Sequence, residues 1–155
     1  MQGRPIPTKP GAPAAFPPPP GWTPLPISVC MMVQNEEANL PLSLGAAHGW
    51  VDDLVVLDGG SSDATLEVAR RYTSRVFERP FERDFAAQKN AASALALHDW
   101  VLVLDADEYL EPGAWTFLAG LIRDAFRGRD AYAFPRMTRT VDGRFYRWAN
   151  YYPNF

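Results

Sequence analysis

The sequence predicts an α/β domain with a mostly parallel sheet flanked by helices, and three observations support this. Short apolar runs recur between residues 27 and 105, and each precedes a polar turn. A helical pattern follows each turn, and the connections are only a few residues long. Alternation of this kind produces right-handed crossovers between neighbouring parallel strands. We therefore expect an open sheet with its ligand crevice at the carboxyl ends of the strands.

Composition is that of an ordinary globular protein. Of the 155 residues, 47% are hydrophobic and 21% are charged, which suffices for one domain with a core. The net charge is −3 and no basic cluster is present, so a nucleic-acid partner is not indicated. The single cysteine, Cys30, fits a reducing compartment, and no apolar run approaches the ~20 residues that span a bilayer. We expect a cytoplasmic protein, with peripheral contact to the inner membrane left open.

Residues 1–26 differ from the remainder of the chain. They hold ten of the fifteen prolines, including the run at positions 17–20. Proline fixes φ and removes the amide donor, so this segment is unsuited to a sheet or helix interior. We expect a disordered, Pro-rich N-terminal tail at 1–26, which composition favours over a proline-recognition ligand, and a folded domain at 27–155.

The individual elements are predicted from local patterns. Continuous apolar runs indicate buried parallel strands. Asn39 and Asp84 offer N-caps, and Pro41 and Pro112 suit the first turns of helices. A turn at 141–143 indicates a late strand entered through a hairpin. We expect strands at 27–33, within 51–58, and at 75–78, 100–105, 131–134 and 144–148, with helices at 39–47, around 66–72, and at 84–97 and 112–126.

The first strand ends in the polar turn Gln-Asn-Glu-Glu at 34–37. A plain interpretation is a turn whose acids lie near the positive end of the next helix dipole, worth about 0.3–1 kcal/mol. In a functional interpretation, Asn35 or Glu36 accepts hydrogen bonds from a ribose or a base. Taken alone, the turn favours the plain interpretation.

The second strand ends in the glycine-rich turn DGGSSDAT at 58–65. This is neither a G-x-G-x-x-G fingerprint nor a Walker loop. Asp58, the last strand residue, would accept a hydrogen bond from a base N–H in a functional interpretation. The alternative is a turn that needs the glycines for its own shape, with Ser62 or Asp63 as a cap. The residues alone leave the two evenly balanced.

The third helix begins with DFAAQKN at 84–90, and its small residues allow close packing on the sheet. Lys89 and Asn90 then stand at one edge of the helix. A lysine here is more often solvated than bound to a ligand. The alternative is a partner for a phosphate or a carboxylate.

Three carboxylates close the fourth apolar strand: Asp105, Asp107 and Glu108. Extended backbone points Asp105 and Asp107 to one side, because they are two residues apart. Mg²⁺ or Mn²⁺ sites use one or two carboxylates together with substrate phosphates and water. The segment therefore favours a metal site over a plain acidic turn. His48 and His98 are separate in sequence, so zinc is not indicated.

Together these segments resemble the nucleotide-sugar half of a family 2 glycosyltransferase, which has the Rossmann-like GT-A fold. The matching stretches are ISVCMMVQNEEANL, VVLDGGSSDAT, DFAAQKNAA and VLVLDADEYL, which occur in the family's order and spacing. They are most similar to the bacterial lipopolysaccharide-core type. The resemblance covers residues 27 to about 152. It implies a transferase in cell-envelope polysaccharide synthesis whose acceptor half is incomplete here.

The resemblance also implies a site. The donor would be a nucleoside-diphosphate sugar, commonly UDP-linked, the cofactor Mg²⁺ or Mn²⁺, and the acceptor a saccharide or a lipid-linked one. Asp107 would ligate the metal on the diphosphate. Val33, Asn35 and Glu36 would line the nucleoside pocket, Asp58 would bind the base, Lys89 or Asn90 would lie near the diphosphate or ribose, and Asp105, with Ala106 beside it, would contact ribose or donor sugar.

The family's catalysis is inverting, with a carboxylate base located after the D-x-D segment. No residue of this chain matches that base motif, so the base is unassigned. The acids left over are Glu108, Glu111, Asp124, Asp130 and Asp142.

Three other functions share part of this pattern. A strand ending in D-x-D also opens haloacid-dehalogenase-type phosphatases, but those need a later lysine, and none follows Lys89. A nucleotidyltransferase usually has a basic, Gly-rich loop where residues 34–37 stand. A nucleotide-sugar-binding module without catalysis is the remaining alternative.

Overall fold

The computed structural model describes residues 16–124, 128–132, 134, 137–139 and 145–147. The chain divides into two compact units, residues 1–120 and residues 121–155. The elements in chain order are β1 (Leu25–Val33), α1 (Leu40–Ala47), β2 (Val51–Asp58), α2 (Thr65–Arg70), β3 (Val76–Glu78), α3 (Phe85–Ser93), β4 (Val101–Asp105), α4 (Pro112–Arg123), β5 (Met137–Arg139) and β6 (Phe145–Arg147).

The first unit contains a four-stranded parallel sheet, which confirms the predicted fold class. The strand order is β3-β2-β1-β4. The chain therefore moves outward from β1 through β2 to β3, and then returns to the other side of β1 for β4. In register, Val33 pairs with Asp58 and Met32 pairs with Asp105. Strand order reverses between β1 and β4, and such a switch point opens a crevice at the carboxyl ends.

The second unit contains the antiparallel pair β5–β6, in which Met137 lies opposite Arg147. The strand expected at 131–134 is wrong, because residues 131, 132 and 134 adopt no strand. That run is short, and Pro135 directly after it has no amide to donate to a ladder. The strand expected at 144–148 is β6. The predicted turn at 141–143 lies outside the described residues.

Two helix boundaries differ from expectation for physical reasons. Helix α3 ends at Ser93 rather than near 97, because the amides of Leu97 and His98 bond to side chains of β1 and β2 instead. Asp84 caps this helix as predicted and accepts from Ala87 N at 2.9 Å. Asn39 does not cap α1, since its side chain donates to a glutamate instead. Helix α4 ends at Arg123, and residues 125–127 lie outside the description.

The predicted tail boundary at residue 26 is too late. Trp22 sets its ring edge-on to that of Trp50, with centroids 4.8 Å apart, and the indole of Trp50 donates to Phe16 O at 2.6 Å. Leu25 is buried and already belongs to β1. Prolines lack amide donors, but the carbonyls and aromatic rings between them still pack. Residues 1–15 lie outside the described part of the chain.

One buried carboxylate connects the beginnings of all four parallel strands. Asp53 of β2 accepts from Ser28 Oγ of β1 at 2.5 Å, and from Leu97 N of the loop before β4 at 3.0 Å. Its other oxygen lies 2.8 Å from Nε of Arg75, the residue before β3. That contact is close enough for an ion pair but not aligned as a hydrogen bond. Arg75 also donates to Leu95 O and covers the ring of Phe77.

Cys30 of β1 belongs to the hydrophobic core between the sheet and α3. It is fully buried with Val55, Leu57 and Ala92. Burial, with the nearby negative charge of Asp53 adding to it, raises the pKa of the Cys30 thiol to about 11. The group is therefore a neutral core side chain near pH 7, and not a reactive thiolate. None of the helices in the described residues is long and apolar enough to cross a membrane.

We predict that Asp53→Asn destabilises the protein by about 3 kcal/mol, because it leaves the charge of Arg75 without its counter-charge. The measurement is the free energy of unfolding from urea denaturation. Asp52→Asn is the matched control: Asp52 is an exposed neighbour that pairs with His98 at 2.6 Å. Its replacement should cost about 0–1 kcal/mol. Equal losses in the two variants would contradict a special role for Asp53.

Candidate functional site

A cavity of about 580 Å³ lies at the carboxyl ends of β1 and β4. This is where the strand order reverses, so the cavity occupies the crevice that the fold creates. Strand ends supply one side and the face of α3 supplies another. The lining residues are Met32, Val33, Gln34, Glu36, Asn39, Gly59, Phe81, Phe85, Ala86, Gln88, Lys89, Asp105, Ala106 and Asp107.

The loops after β1 and β2 are fastened to each other. Asn35 has a left-handed backbone conformation with φ of 57°. Its backbone N–H donates to Ser61 Oγ, and its side-chain oxygen accepts from Ser62 N. Glu36 N donates to Thr65 Oγ1 at 2.7 Å. Asn35 thus acts in this structure as a bridge between loops, and it is not among the cavity-lining residues.

A second part of this loop clamp (residues 34–37 with 59–65) centres on Asp63. Its carboxylate accepts from the amides of Thr65 and Glu37 and from the Thr65 hydroxyl, while Glu37 accepts from Ala64 N. Burial would raise the pKa of Asp63. The hydrogen bonds from Thr65 and Glu37 outweigh that effect and hold the pKa below its usual range. The charged form of Asp63 therefore stabilises the clamp.

Asp58 is used to shape the glycine-rich turn. It is fully buried, and its carboxylate accepts from Gly60 N at 2.8 Å, from Ser61 N at 2.9 Å and from the Ser61 hydroxyl. Gly60 has φ of +99°, a conformation that other residues rarely adopt. The turn thus uses both Asp58 oxygens. Asp58 is not among the residues that line the cavity.

Helix α3 presents an aromatic group, an amide and a cation to the cavity. The rings of Phe81 and Phe85 meet edge to face with centroids 4.7 Å apart. Gln88 is buried and exchanges two hydrogen bonds with Arg79, which fixes the loop before α3. Lys89 follows Phe85 by one helical turn and lines the cavity. Asn90 is exposed and is not among the lining residues.

The acidic end of the cavity is formed where β4 stops. Asp105 Oδ1 lies 2.9 Å from Lys89 Nζ, and both side chains are about two-fifths exposed. Glu108 bends back so that its carboxylate accepts from Asp105 N at 3.1 Å, which closes the turn. Ala106 is buried between the acids, and Asp107 is exposed at the cavity. The carboxylate of Asp105 is thus ion-paired, whereas that of Asp107 is exposed at the cavity.

The carboxylate oxygens at the acidic end of the cavity suit a hard divalent cation whose coordination is completed by a ligand. Among the described residues, no group of three or more His, Cys, Asp and Glu side chains is placed to hold a metal alone. Asp107 and Asp105 nevertheless offer carboxylate oxygens at the cavity wall. Mg²⁺ is commonly held by one or two carboxylates and completed by phosphate oxygens and water. The residues present therefore suit a site that forms together with a phosphorylated ligand.

The structure divides the predicted site residues into two groups. Asn35, Asp58 and Asn90 lie outside the lining, and the first two hold the loops in shape. Sequence patterns missed Phe81 and Phe85, although they flank the helix cap at Asp84. The predicted residues that line the cavity together are Val33, Glu36, Lys89, Asp105, Ala106 and Asp107. The further lining residues that the sequence did not single out are Met32, Gln34, Asn39, Gly59, Phe81, Phe85, Ala86 and Gln88.

Comparison with known sequences shows which proteins this chain resembles. Residues 28–155 match the family model described as glycosyl transferase family 2. An uncharacterized glycosyltransferase of Rickettsia typhi is 32% identical over 84 residues, which are 54% of this chain and 28% of that protein. A TPR repeat-containing protein of Synechococcus elongatus is 44% identical over 92 residues, 59% of this chain and 23% of that protein.

Two further similarities are more extensive. A succinoglycan biosynthesis protein of Rhizobium meliloti is 30% identical over 74% of this chain and 39% of that protein. The chain thus spans less than half the length of these three relatives. Among solved structures, S. aureus TarS 1–349 in complex with UDP superposes with a TM-score of 0.56 at 19% identity, covering 77% of this chain and 43% of that one. Identity at that level shows likeness of fold.

We predict that Asp63→Asn makes the free energy of unfolding less dependent on pH in the acid range. The folded pKa of Asp63 is lowered, so its contribution is fully present above the ordinary value of about 3.9 and is lost as pH falls through the folded pKa. Urea unfolding at several pH values measures this. Wild type should lose stability more steeply than Asp63→Asn below a pH of about 4, and Asp99→Asn should follow wild type. Parallel profiles for all three proteins would contradict the role of Asp63.

Proposed function

This chain belongs to glycosyl transferase family 2, and from that premise we propose that it transfers a sugar from a nucleoside-diphosphate sugar to a saccharide or lipid-linked acceptor. The donor nucleotide is uridine diphosphate, and the reaction depends on Mg²⁺ or Mn²⁺. The cavity between β1 and β4 is the donor site. A lipid-linked acceptor would bring the protein into peripheral contact with a membrane.

The observation that carries the proposal is the composition of this one cavity. It combines three carboxylates, those of Glu36, Asp105 and Asp107, with a lysine and an aromatic pair at the switch point of a parallel sheet. Its volume of about 580 Å³ lies within the range of ~300–1,000 Å³ that is typical of small-molecule sites. A nucleoside diphosphate needs an apolar surface for its base and charged groups for its phosphates. A chain of the same fold, TarS, has been solved in complex with UDP.

The acidic end is proposed to hold the diphosphate. Asp107 would ligate the divalent ion, with Asp105 beside it, and the ion would supply Lewis-acid stabilisation of the departing diphosphate. The pair of Lys89 and Asp105 is partly exposed, so little free energy is needed to separate it. Lys89 is then available to a phosphate oxygen, and Asp105 to a hydroxyl of the ribose or the donor sugar.

The nucleoside end is proposed to lie against the loop clamp. Glu36 lines the cavity, and its carboxylate is steadied by a hydrogen bond of 2.7 Å from the Asn39 amide. It is thus placed to accept from a ribose hydroxyl. Val33 and Gly59 supply the wall beside it. Asn35 and Asp58, which shape the loops, would act on the nucleoside through those loops.

The reaction is proposed to be a single inverting displacement. An acceptor hydroxyl oxygen would form a bond to the anomeric carbon while the bond to the diphosphate oxygen breaks, and a carboxylate would take the hydroxyl proton. The described acids at the cavity all have donor-side roles in this proposal. Glu108 closes the turn after β4. The proposal therefore assigns the catalytic base to a residue outside the described cavity wall.

We predict that UDP binds more tightly with Mn²⁺ than with a chelator, and that Asp107→Asn removes this difference. Loss of a charged metal ligand should weaken metal-dependent binding by about tenfold or more, which corresponds to ~1.4 kcal/mol. Titration calorimetry of the full chain is the measurement.

Asp99→Asn is the control for this prediction, since Asp99 is an exposed acid just before the opposite end of β4. It should retain the metal effect, and unfolding midpoints should show both variants folded. Equal UDP affinity of wild type with and without metal would remove the metal from the proposal. Absence of UDP binding under both conditions would remove the donor assignment.

A further inference from the structure

We propose that Phe85 forms a stacking surface for the base of the bound nucleotide, and that it thereby selects ligands with a planar base. This inference rests on the proposed function, because it concerns the same cavity. It adds a specificity-determining residue that lies outside the acidic and glycine-rich motifs.

The side chain of Phe85 is large and apolar, but it lies at the cavity and not in the hydrophobic core. It is the first residue of α3 and is 62% exposed, whereas the nearby Ala92 of the same helix is buried in the core. Its ring lines the cavity. Aromatic side chains that are exposed at a binding groove commonly serve as stacking platforms for bases, since every base has a π-face.

The ring of Phe85 is supported by a second aromatic ring at the cavity. Phe81 meets it edge to face at 4.7 Å, and Phe81 in turn packs on the backbone of Gly59. A Cβ at Gly59 would lie 3.1 Å from Phe81 Cβ, so a side chain at this position would require Phe81 to shift by a few tenths of an ångström. Phe81 N also donates to Gly59 O at 3.0 Å. The Asp84 cap fixes the start of the helix. A platform held in this way costs little ordering when a ligand arrives.

The spacing along α3 matches the two ends of a nucleotide. Phe85 and Lys89 are four residues apart and therefore share one helix face. The rise between them is about 6 Å. Lys89 lies beside Asp105 at the charged end of the cavity, and Phe85 stands one turn away from it. A nucleoside diphosphate likewise carries a planar base at one end and anionic oxygens at the other, with ribose between them.

The test compares two ligands and three variants of the full chain by titration calorimetry with Mg²⁺ present. UDP carries a base, and inorganic pyrophosphate does not. Phe85→Ala removes the ring, Phe85→Leu keeps apolar bulk without a π-face, and Phe85→Trp keeps an aromatic surface. Leu97→Ala is the control, because Leu97 is 65% exposed on the loop before β4 and is not among the residues that line the cavity.

We expect Phe85→Ala and Phe85→Leu to weaken UDP binding by about 10- to 100-fold, the usual loss when one stacked aromatic is removed. Their affinity for pyrophosphate should equal that of wild type. Phe85→Trp and Leu97→Ala should bind UDP like wild type.

Unchanged UDP affinity of Phe85→Ala, or an equal loss of affinity for UDP and pyrophosphate, would overturn the stacking role while sparing the proposed function. A wild-type chain that binds no UDP would overturn both, since no base would then be held. Retention of full affinity by Phe85→Leu would also overturn it, because apolar contact alone would then explain binding.

Discussion

The carboxylate of Asp53 is the interaction on which the arrangement of the sheet depends. It lies in β2 and contacts the hydroxyl of Ser28 in β1, the guanidinium of Arg75 before β3 and the amide of Leu97 before β4. These contacts align the amino ends of four parallel strands around one buried charge. Burial of such a charge is costly unless it is fully paired, so the cluster favours a single register over alternatives. With the amino ends aligned, the carboxyl ends also meet at one edge.

At that edge, the polar motifs of the sequence serve two different purposes. Asn35, Asp58 and Asp63 direct their side chains into the loop clamp. Lys89 and Asp107 remain directed at the cavity. The division has a simple physical origin, since a glycine-rich turn without regular structure needs side-chain acceptors for its amides. The loop clamp holds the cavity wall in place, and the side chains that it does not use, Lys89 and Asp107, can contact a ligand.

Local patterns were sufficient to predict the order of strands and helices from β1 to α4 and the acids after β4, but they did not predict β5. Non-local pairing was not predictable in this way. Nothing near Asn35 in sequence indicates that it would bond to Ser62, 27 residues later. Helix α3 ends early because the backbone amide of Leu97 donates to the side chains of Ser28 and Asp53. Trp22 packs on Trp50, although composition alone assigned Trp22 to a disordered tail. Phe85 escaped notice because a single exposed aromatic carries no periodic signal.

In the proposed function, a nucleoside diphosphate binds at the switch point between β1 and β4. Backbone amide chemical shifts of the isotope-labelled full chain, recorded while UDP and Mg²⁺ are added, test this most directly. We expect the largest changes at 33–36, 85–89 and 105–107, while the amides around Asp53 and Leu97 at the opposite edge stay unchanged. Changes centred on another surface, with these three segments unaffected, would contradict it.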